Sequence, residues 1–311
     1  MEGRMPVDIQ VLGSINVDHL LSVERLPQPG DTVLAQTIHR LPGGKGANQA
    51  VAAARMGAQV AMTGATGMDG EGTWMRQILS DEGVDIDGIG TIKTAPTGAA
   101  FIAVDAKGEN QIIVSPGANA MLTSSKTVDA SVVLAQLEIP MAVIEDRFAG
   151  AAALRLLNAA PFVPDAVRLF PHADIVIVNE HELAGYAGHG TITERTAIVD
   201  SARSLLSRTE QTIIVTLGAL GAIAVTNKSY HPVAPLPVIP RDTVGAGDCF
   251  CGALAAQLAA GASLDNALTL ANTAAAMCTL GVGAIPAMPH RAAVEAVLAG
   301  AATRPDQQNM R

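Results

Sequence analysis

The stretch Asp242-Thr243-Val244-Gly245-Ala246-Gly247-Asp248 is the best equipped to do chemistry. Gly245-Ala246-Gly247 reads as a flexible turn, and the apolar run from Phe250 to Ala260, with Gly261 behind it, reads as a helix. Glycines just before a helix let main-chain N–H groups converge on one point, at the positive end of the helix dipole. That arrangement suits a phosphate. Asp248 sets a carboxylate at the mouth of this site, where it repels the anion unless it has a task. Taking a proton from an attacking hydroxyl is one such task. Capping the helix is another, and this stretch alone does not choose between them.

Other polar residues gather at the ends of apolar runs. Asn16 and Asp18 follow a short buried strand, residues 8–15. In an open α/β sheet that edge is where ligands bind. A spacing of two in extended chain puts both side chains on one face, and amide plus carboxylate suits adjacent sugar hydroxyls. For two residues alone, an ordinary polar loop is the simpler reading. Gly43-Gly44-Lys45-Gly46-Ala47-Asn48-Gln49-Ala50 is a second glycine-rich turn opening a helix, and it lacks the Walker order of a P-loop. Gly43 and Gly44 allow backbone to approach a ligand, and Asn48 can reach back over the same pocket. Lys45 can pair with a phosphate or stand in solvent, the second being the simpler reading. Glu138 ends the strand 131–138 at the same edge. Asn179 ends the strand 174–179. Glu182, one turn into the next helix, can order hydrated Mg²⁺ or serve only as a favourable first-turn charge. Thr216, Gly218 and Gly221 mark a strand leading to a glycine turn. The loop Gly281-Val282-Gly283 offers carbonyls to a cation.

The elements that must hold these residues follow from pattern. Strands are expected over 59–65, 154–158, 212–216 and 222–226, an edge segment over 233–239, and helices over 70–82, 267–280 and 291–298. Residues 97–104 and 110–114 read as a hairpin that breaks the β/α alternation. With residues 17–41 it would form a small separate sheet acting as a lid. The 311 residues carry no repeat or clean linker, so one continuous α/β domain over 1–311 with that lid is preferred to two domains.

Composition bounds the partners. Hydrophobic residues at 49% against 3% aromatics imply a core of small aliphatic side chains. A net charge of −9 argues against nucleic acid, which needs clustered Lys and Arg, and says nothing against ATP. The three cysteines, Cys249, Cys251 and Cys278, form no spaced framework and point to a reduced, cytoplasmic protein. The N-terminal residues show no apolar leader, and the polar tail after Ala302 is expected to fray. The most apolar window, Ala267 to Ile285, contains Asn272, Thr273 and Thr279 and reads as a buried helix, not a membrane span.

Taken together, the chain resembles the ribokinase-type (PfkB) carbohydrate kinase family over nearly its whole length. The run from Gly43 to Ala50 with Gly57 resembles the family's first signature, and Asp242 to Asp248 with Phe250 and Gly252 resembles its second. Leu12-Gly-Ser-Ile-Asn16-Val-Asp18, Gln136-Leu-Glu138, Val178-Asn179-Glu180 with Glu182, and Thr216-Leu-Gly218 with Gly221 follow in the family's order. The form Gly-Gly-Lys-Gly-Ala-Asn-Gln is closer to the ribokinase branch than to fructokinases or adenosine kinases.

The resemblance implies a three-layer α/β sandwich with a mostly parallel central sheet and a small β-sheet lid. It implies ATP-dependent phosphorylation of the ribose 5-hydroxyl. Asn16, Asp18, Gly43, Gly44, Lys45, Asn48 and Glu138 would hold the sugar, and Asp248 would be the base, already ionised at neutral pH without special tuning. The amides of Gly245, Ala246 and Gly247 would form the anion hole. Asn179, Thr216, Gly218, Gly221, Gly247 and Asn272 would bind nucleotide, and Glu182 would help order Mg²⁺. A K⁺ would lie beside the anion hole at Asp242, Val244, Cys278, Gly281, Gly283 and Ala287, mostly through carbonyls. The lid would pair with that of a second subunit to make a homodimer. Ala219 stands where the family often has a serine that contacts nucleotide. Another sugar or a nucleoside as acceptor is the alternative, and an idle sugar-binding protein a more distant one.

Overall fold

The computed structural model describes residues 7–124 and 127–302. The N-terminal stretch and the polar C-terminal tail read from the sequence lie outside them, apart from Val7 and Asp8. Nine strands form one sheet: β1 (Val7–Leu12), β4 (Val60–Gly67), β5 (Asp85–Ile92), β8 (Ala130–Gln136), β9 (Leu154–Asn158), β10 (Ile175–Asn179), β11 (Thr212–Thr216), β12 (Ala222–Val225) and β13 (Tyr230–Val233). Their order is β13-β12-β11-β10-β9-β8-β1-β4-β5. Seven of them run parallel, and β12 and β13 are added antiparallel at one edge.

Both faces of this sheet are covered, so successive residues of each strand go to opposite layers. Val132, Leu134, Ile175 and Ile177 face a layer built from α1 (Lys45–Arg55), α2 (Gly70–Asp81), α6 (Ala246–Ala259), α7 (Leu264–Cys278) and α8 (Arg291–Ala302). Val133, Ala135, Val176 and Val178 face the other layer, with α3 (Met141–Ala149), α4 (Glu180–Ala187) and α5 (Arg195–Ser204). The apolar window at 267–285 is largely α7, whose Ala267, Leu268, Ala271 and Ala274 are buried. Among the described residues no helix is long and apolar enough to cross a membrane.

A second sheet of four strands has the order β3-β2-β6-β7, from β2 (Asn16–Val23), β3 (Ala35–Gly43), β6 (Gly98–Val104) and β7 (Asn110–Ser115). The hairpin expected at 97–115 is β6 and β7. The chain leaves β1 through Gly13-Ser14-Ile15 straight into β2, and leaves β3 through Gly44 straight into α1. The glycine-rich turn at 43–46 is therefore the junction between the small sheet and the main body.

The structure differs from expectation in three places. α6 begins at Ala246 instead of Phe250, because Gly245 takes φ 77° and the next glycine is already helical. The edge strand is Tyr230–Val233, while 234–239 lies outside any strand: its alternate prolines remove the donors that a ladder needs. β5 and α5 have no counterpart in the sequence reading: β5 carries two Asp and two Gly, types depleted in strands, and α5 opens without a side-chain cap.

Candidate active site

The site lies where β1, β8, β9 and β10 end and where α1 and α6 begin. Gly44 opens α1 at φ 90°, and a side chain there would press on the backbone of Ser14 and Asn16. A Cβ on Gly43 would overlap the Asp18 carboxylate. Both glycines are thus required by close approach, as their spacing suggested. Asn16, buried at the start of β2, accepts from Asn119 Nδ2 at 2.8 Å, and Asn119 Oδ1 accepts from the Ile15 amide at 2.9 Å. Glu138 accepts from the Ser14 hydroxyl and, at 3.2 Å, from the Lys45 amide.

Asp248 is buried in the first turn of α6, and it does not cap the helix: the N-cap is Gly245, with no side-chain cap bond. Its carboxylate instead accepts from Asn48 Nδ2 at Oδ2 and from Gln49 Nε2 at Oδ1, each at 2.9 Å. These bonds join α6 to the first turn of α1. The two helices meet closely because residue 252 is glycine: a Cβ there would lie 2.6 Å from Ala52 Cβ and would overlap the Gln49 carbonyl.

Charge is concentrated here. Burial pushes Asp248 above the usual carboxylate range, and Lys45 with the Asn48 and Gln49 bonds offsets this only in part. The expectation of an untuned aspartate is therefore corrected. Asp18 is raised to about 7, first by burial and then by Glu138 and Asp248. Lys45 does not stand in solvent. Burial works to lower its pKa, and the carboxylates of Asp248, Glu138 and Glu182 outweigh that and raise it. Burial also raises Glu182, against the Asn179 amide and Lys45.

Beside this cluster opens a cleft of about 620 Å³. Asn179, Thr216, Gly218, Gly221, Gly247 and Asn272, the expected nucleotide set, all line it. Ala219 lines it too, where a serine was expected, as do Ala246 and the apolar stretch Pro235 to Val238. Asn272 also anchors that stretch, donating to the Ala234 carbonyl at 2.9 Å. Glu182 does not border the cleft: it forms a reciprocal capping box with Asn179, each bond 2.8 Å.

The expected cation residues are brought together from two loops. Asp242 Oδ1 accepts from Val244 N at 3.0 Å and Oδ2 from Gly283 N at 2.8 Å. Gly281 packs against Ala287, whose Cβ would stand 2.6 Å from a Cβ at 281. The Cys278 thiol is buried and hydrogen-bonds Cys249, which leaves only its carbonyl for a cation. Among the described residues there is no cluster of three His, Cys, Asp or Glu able to hold a metal.

The sequence reading assigned no role to Ser14, Gln49, Asn119, Gln136 or Asn158. Gln49 had a signal, two amides in succession opening an otherwise apolar helix. Asn119 and Asn158 reach the site from distant segments, and nothing in their spacing points there.

The anion-receptive helix start, the buried carboxylate in its first turn and the cleft beside them suit phosphoryl transfer. Residues 7–291 match the family described as pfkB family carbohydrate kinase, and the chain belongs to it. The chain is 35% identical over 301 residues to the ribokinase of Bacillus subtilis (strain 168), covering 94% of this chain and 99% of the relative. It is 34% identical over 298 residues to the bifunctional ribokinase/ribose-5-phosphate isomerase A of Fructilactobacillus sanfranciscensis, which covers 92% of this chain but only 55% of the relative. The solved Arabidopsis thaliana ribokinase complexed with ribose and ATP superposes with a TM-score of 0.87 at 30% identity, over 94% of this chain and 99% of that one.

Proposed function

We propose that this carbohydrate kinase transfers the terminal phosphoryl group of ATP to the 5-hydroxyl of D-ribose, giving ribose 5-phosphate. One observation carries the proposal. The Asp248 carboxylate is tied to Asn48 of the sugar-side turn and follows directly on Gly247 in the wall of the cleft. A hydroxyl resting against Asp248 would thus face a phosphate resting on the start of α6. The names of the relatives, and the ribose and ATP of the Arabidopsis complex, support the substrates.

In this reading Asn16, Asp18, Gly43, Gly44, Lys45, Asn48 and Glu138 hold the sugar. The buried Asn48 Oδ1 has no protein partner among the described residues. Such an acceptor costs about 1–3 kcal/mol when left bare, and a ribose hydroxyl would satisfy it. Asp248 takes the proton of the attacking hydroxyl as the bond to phosphorus forms, and a raised pKa makes it a better proton acceptor. The amides of Gly245, Ala246 and Gly247 receive the charge of the transferring group. Asn179, Thr216, Gly218, Gly221 and Asn272 place the nucleotide.

Glu182 has one oxygen committed to the Asn179 amide, and its other suits the water shell of Mg²⁺. Mg²⁺ would neutralise phosphate charge there. The carboxylate of Asp242 and the carbonyls of Val244, Cys278, Gly281, Gly283 and Ala287 would supply an all-oxygen set of the kind that suits K⁺, which would firm the loop leading into α6. The chain works as one domain over 1–311, its small sheet serving as a lid. It acts in the cytoplasm as a homodimer joined through that sheet, without nucleic-acid or membrane partners.

The test is ATP-dependent phosphorylation across a panel of D-ribose, deoxyribose, fructose and adenosine. Highest kcat/KM on ribose is expected. A preference for adenosine would make the protein a nucleoside kinase, and binding without turnover would make it a sugar-binding protein.

A further inference from the structure

Behind Asp248 lies a line of buried amides that the transfer of phosphate does not itself require. Gln49 Nε2 donates one hydrogen to Asp248 Oδ1 at 2.9 Å and the other to Asn158 Oδ1 at 3.0 Å. Its Oε1 accepts from Gln136 Nε2 at 2.6 Å. Asn158 in turn donates to the Ile177 carbonyl at 3.3 Å. Gln136 and Asn158 are paired neighbours at the C-terminal ends of β8 and β9. Gln49 and Gln136 are fully buried.

Chemistry fixes the direction of this line. A carboxylate can only accept, so the Gln49 edge facing Asp248 must be its NH₂, and its oxygen must turn to Gln136. A flipped amide would set oxygen against carboxylate. The sheet therefore holds Gln49 in one orientation, and Gln49 holds the carboxylate.

We propose that Gln49 is the positioning residue of the catalytic base: locked by Gln136 and Asn158, it fixes the plane of the Asp248 carboxylate so that Oδ2 is presented to the acceptor hydroxyl. This rests on the reading of Asp248 as the base. A carboxylate held by Asn48 alone can rotate, and a wrongly aimed base loses rate steeply with small displacements. The charged groups acting on Asp248 are Lys45 from α1, Glu138 after β8, Asp18 from β2 and Glu182 from α4, together with the thiols of Cys249, Cys251 and Cys278. None of them replaces the hydrogen bond that Gln49 makes.

The test compares wild type, Gln49→Met and Gln136→Met in steady-state turnover of ribose between pH 5 and 9, with thermal melting as the check on folding. Gln49→Met is expected to lower kcat about tenfold or more, with KM for ribose and ATP within about twofold, since Gln49 is fully buried and outside the cleft. Losing the bond also favours the protonated carboxyl, so the acid limb of kcat/KM should move to higher pH. Gln136→Met, which only frees the Gln49 oxygen, should move both in the same direction by less. Loss of packing alone would lower the melting temperature and leave the limb in place. Folded variants with wild-type kcat and an unmoved limb would overturn the proposal. Should Gln49→Met not fold, an unmoved limb in Gln136→Met would overturn it equally. If wild type ignores ribose but phosphorylates another alcohol, the substrate assignment fails, and the same comparison on that acceptor still decides the role of Gln49.

Discussion

In the proposed reading Asp18 trades stability for binding. Its carboxyl, raised to about 7 by burial and by Glu138 and Asp248, is an ordinary acid in the unfolded chain. The folded state therefore holds a proton that the unfolded state releases between about pH 4 and 7. The stability tied to this group is fully present below about pH 4 and is lost as pH rises through about 7. Asp18→Asn removes the charge that must be buried, so the ligand-free variant should melt higher than wild type at pH 8 and alike at pH 4. The same change should weaken ribose binding at pH 8, because the amide offers one accepting oxygen where the carboxylate offers two. In wild type, ribose affinity should fall as pH drops through about 7. Calorimetric titration with ribose at pH 6 and 8, alongside melting curves, checks all of this, and equal melting temperatures at pH 8 would contradict the assignment.

At the scale of elements, the site depends on how closely α6 approaches α1. Gly252→Ala should cost about 1–3 kcal/mol by overpacking, measured by denaturant unfolding, and should lower kcat more than KM because it displaces Asp248. Asp242→Ala frees the amides of Val244 and Gly283 together and lets the two loops part. Its rate should respond less to added K⁺ than that of wild type. Much of this was legible beforehand. The alternation of apolar strands and helices gave the α/β sheet, and the two glycine-rich turns gave the neighbourhood of both helix starts. The first turn of α6 was not, because a glycine in a turn and a glycine in a helix look alike in sequence. The reach of Gln49 was hidden for a related reason. Successive residues on an isolated helix face different ways, and only the approach of α6 lets Asn48 and Gln49 grip the same carboxylate.

For the whole molecule, the small sheet carries Asn16 and Asp18, proposed to hold the sugar, and a bare apolar face. Ile38, Phe101 and Ile113 share that face and are exposed, Ile113 by 70%, while Ile112 and Val114 lie on the opposite face with Asp18. An apolar face of this kind on an edge sheet invites pairing with another copy. Ile113→Glu should shift the protein to monomers in analytical ultracentrifugation and raise KM for ribose, while an unchanged sedimentation coefficient would place the contact elsewhere. The central claim joins the two halves of the molecule at one carboxylate, with sugar on the side of α1 and phosphate at the start of α6. Phosphorus NMR of the reaction with ATP and D-ribose tests it most directly, run on wild type and on Asp248→Asn with both shown to bind nucleotide. The account predicts a single phosphomonoester on the 5-oxygen from wild type and at least about a hundredfold slower formation in the variant. Phosphate on another oxygen, or a variant as fast as wild type, would contradict it.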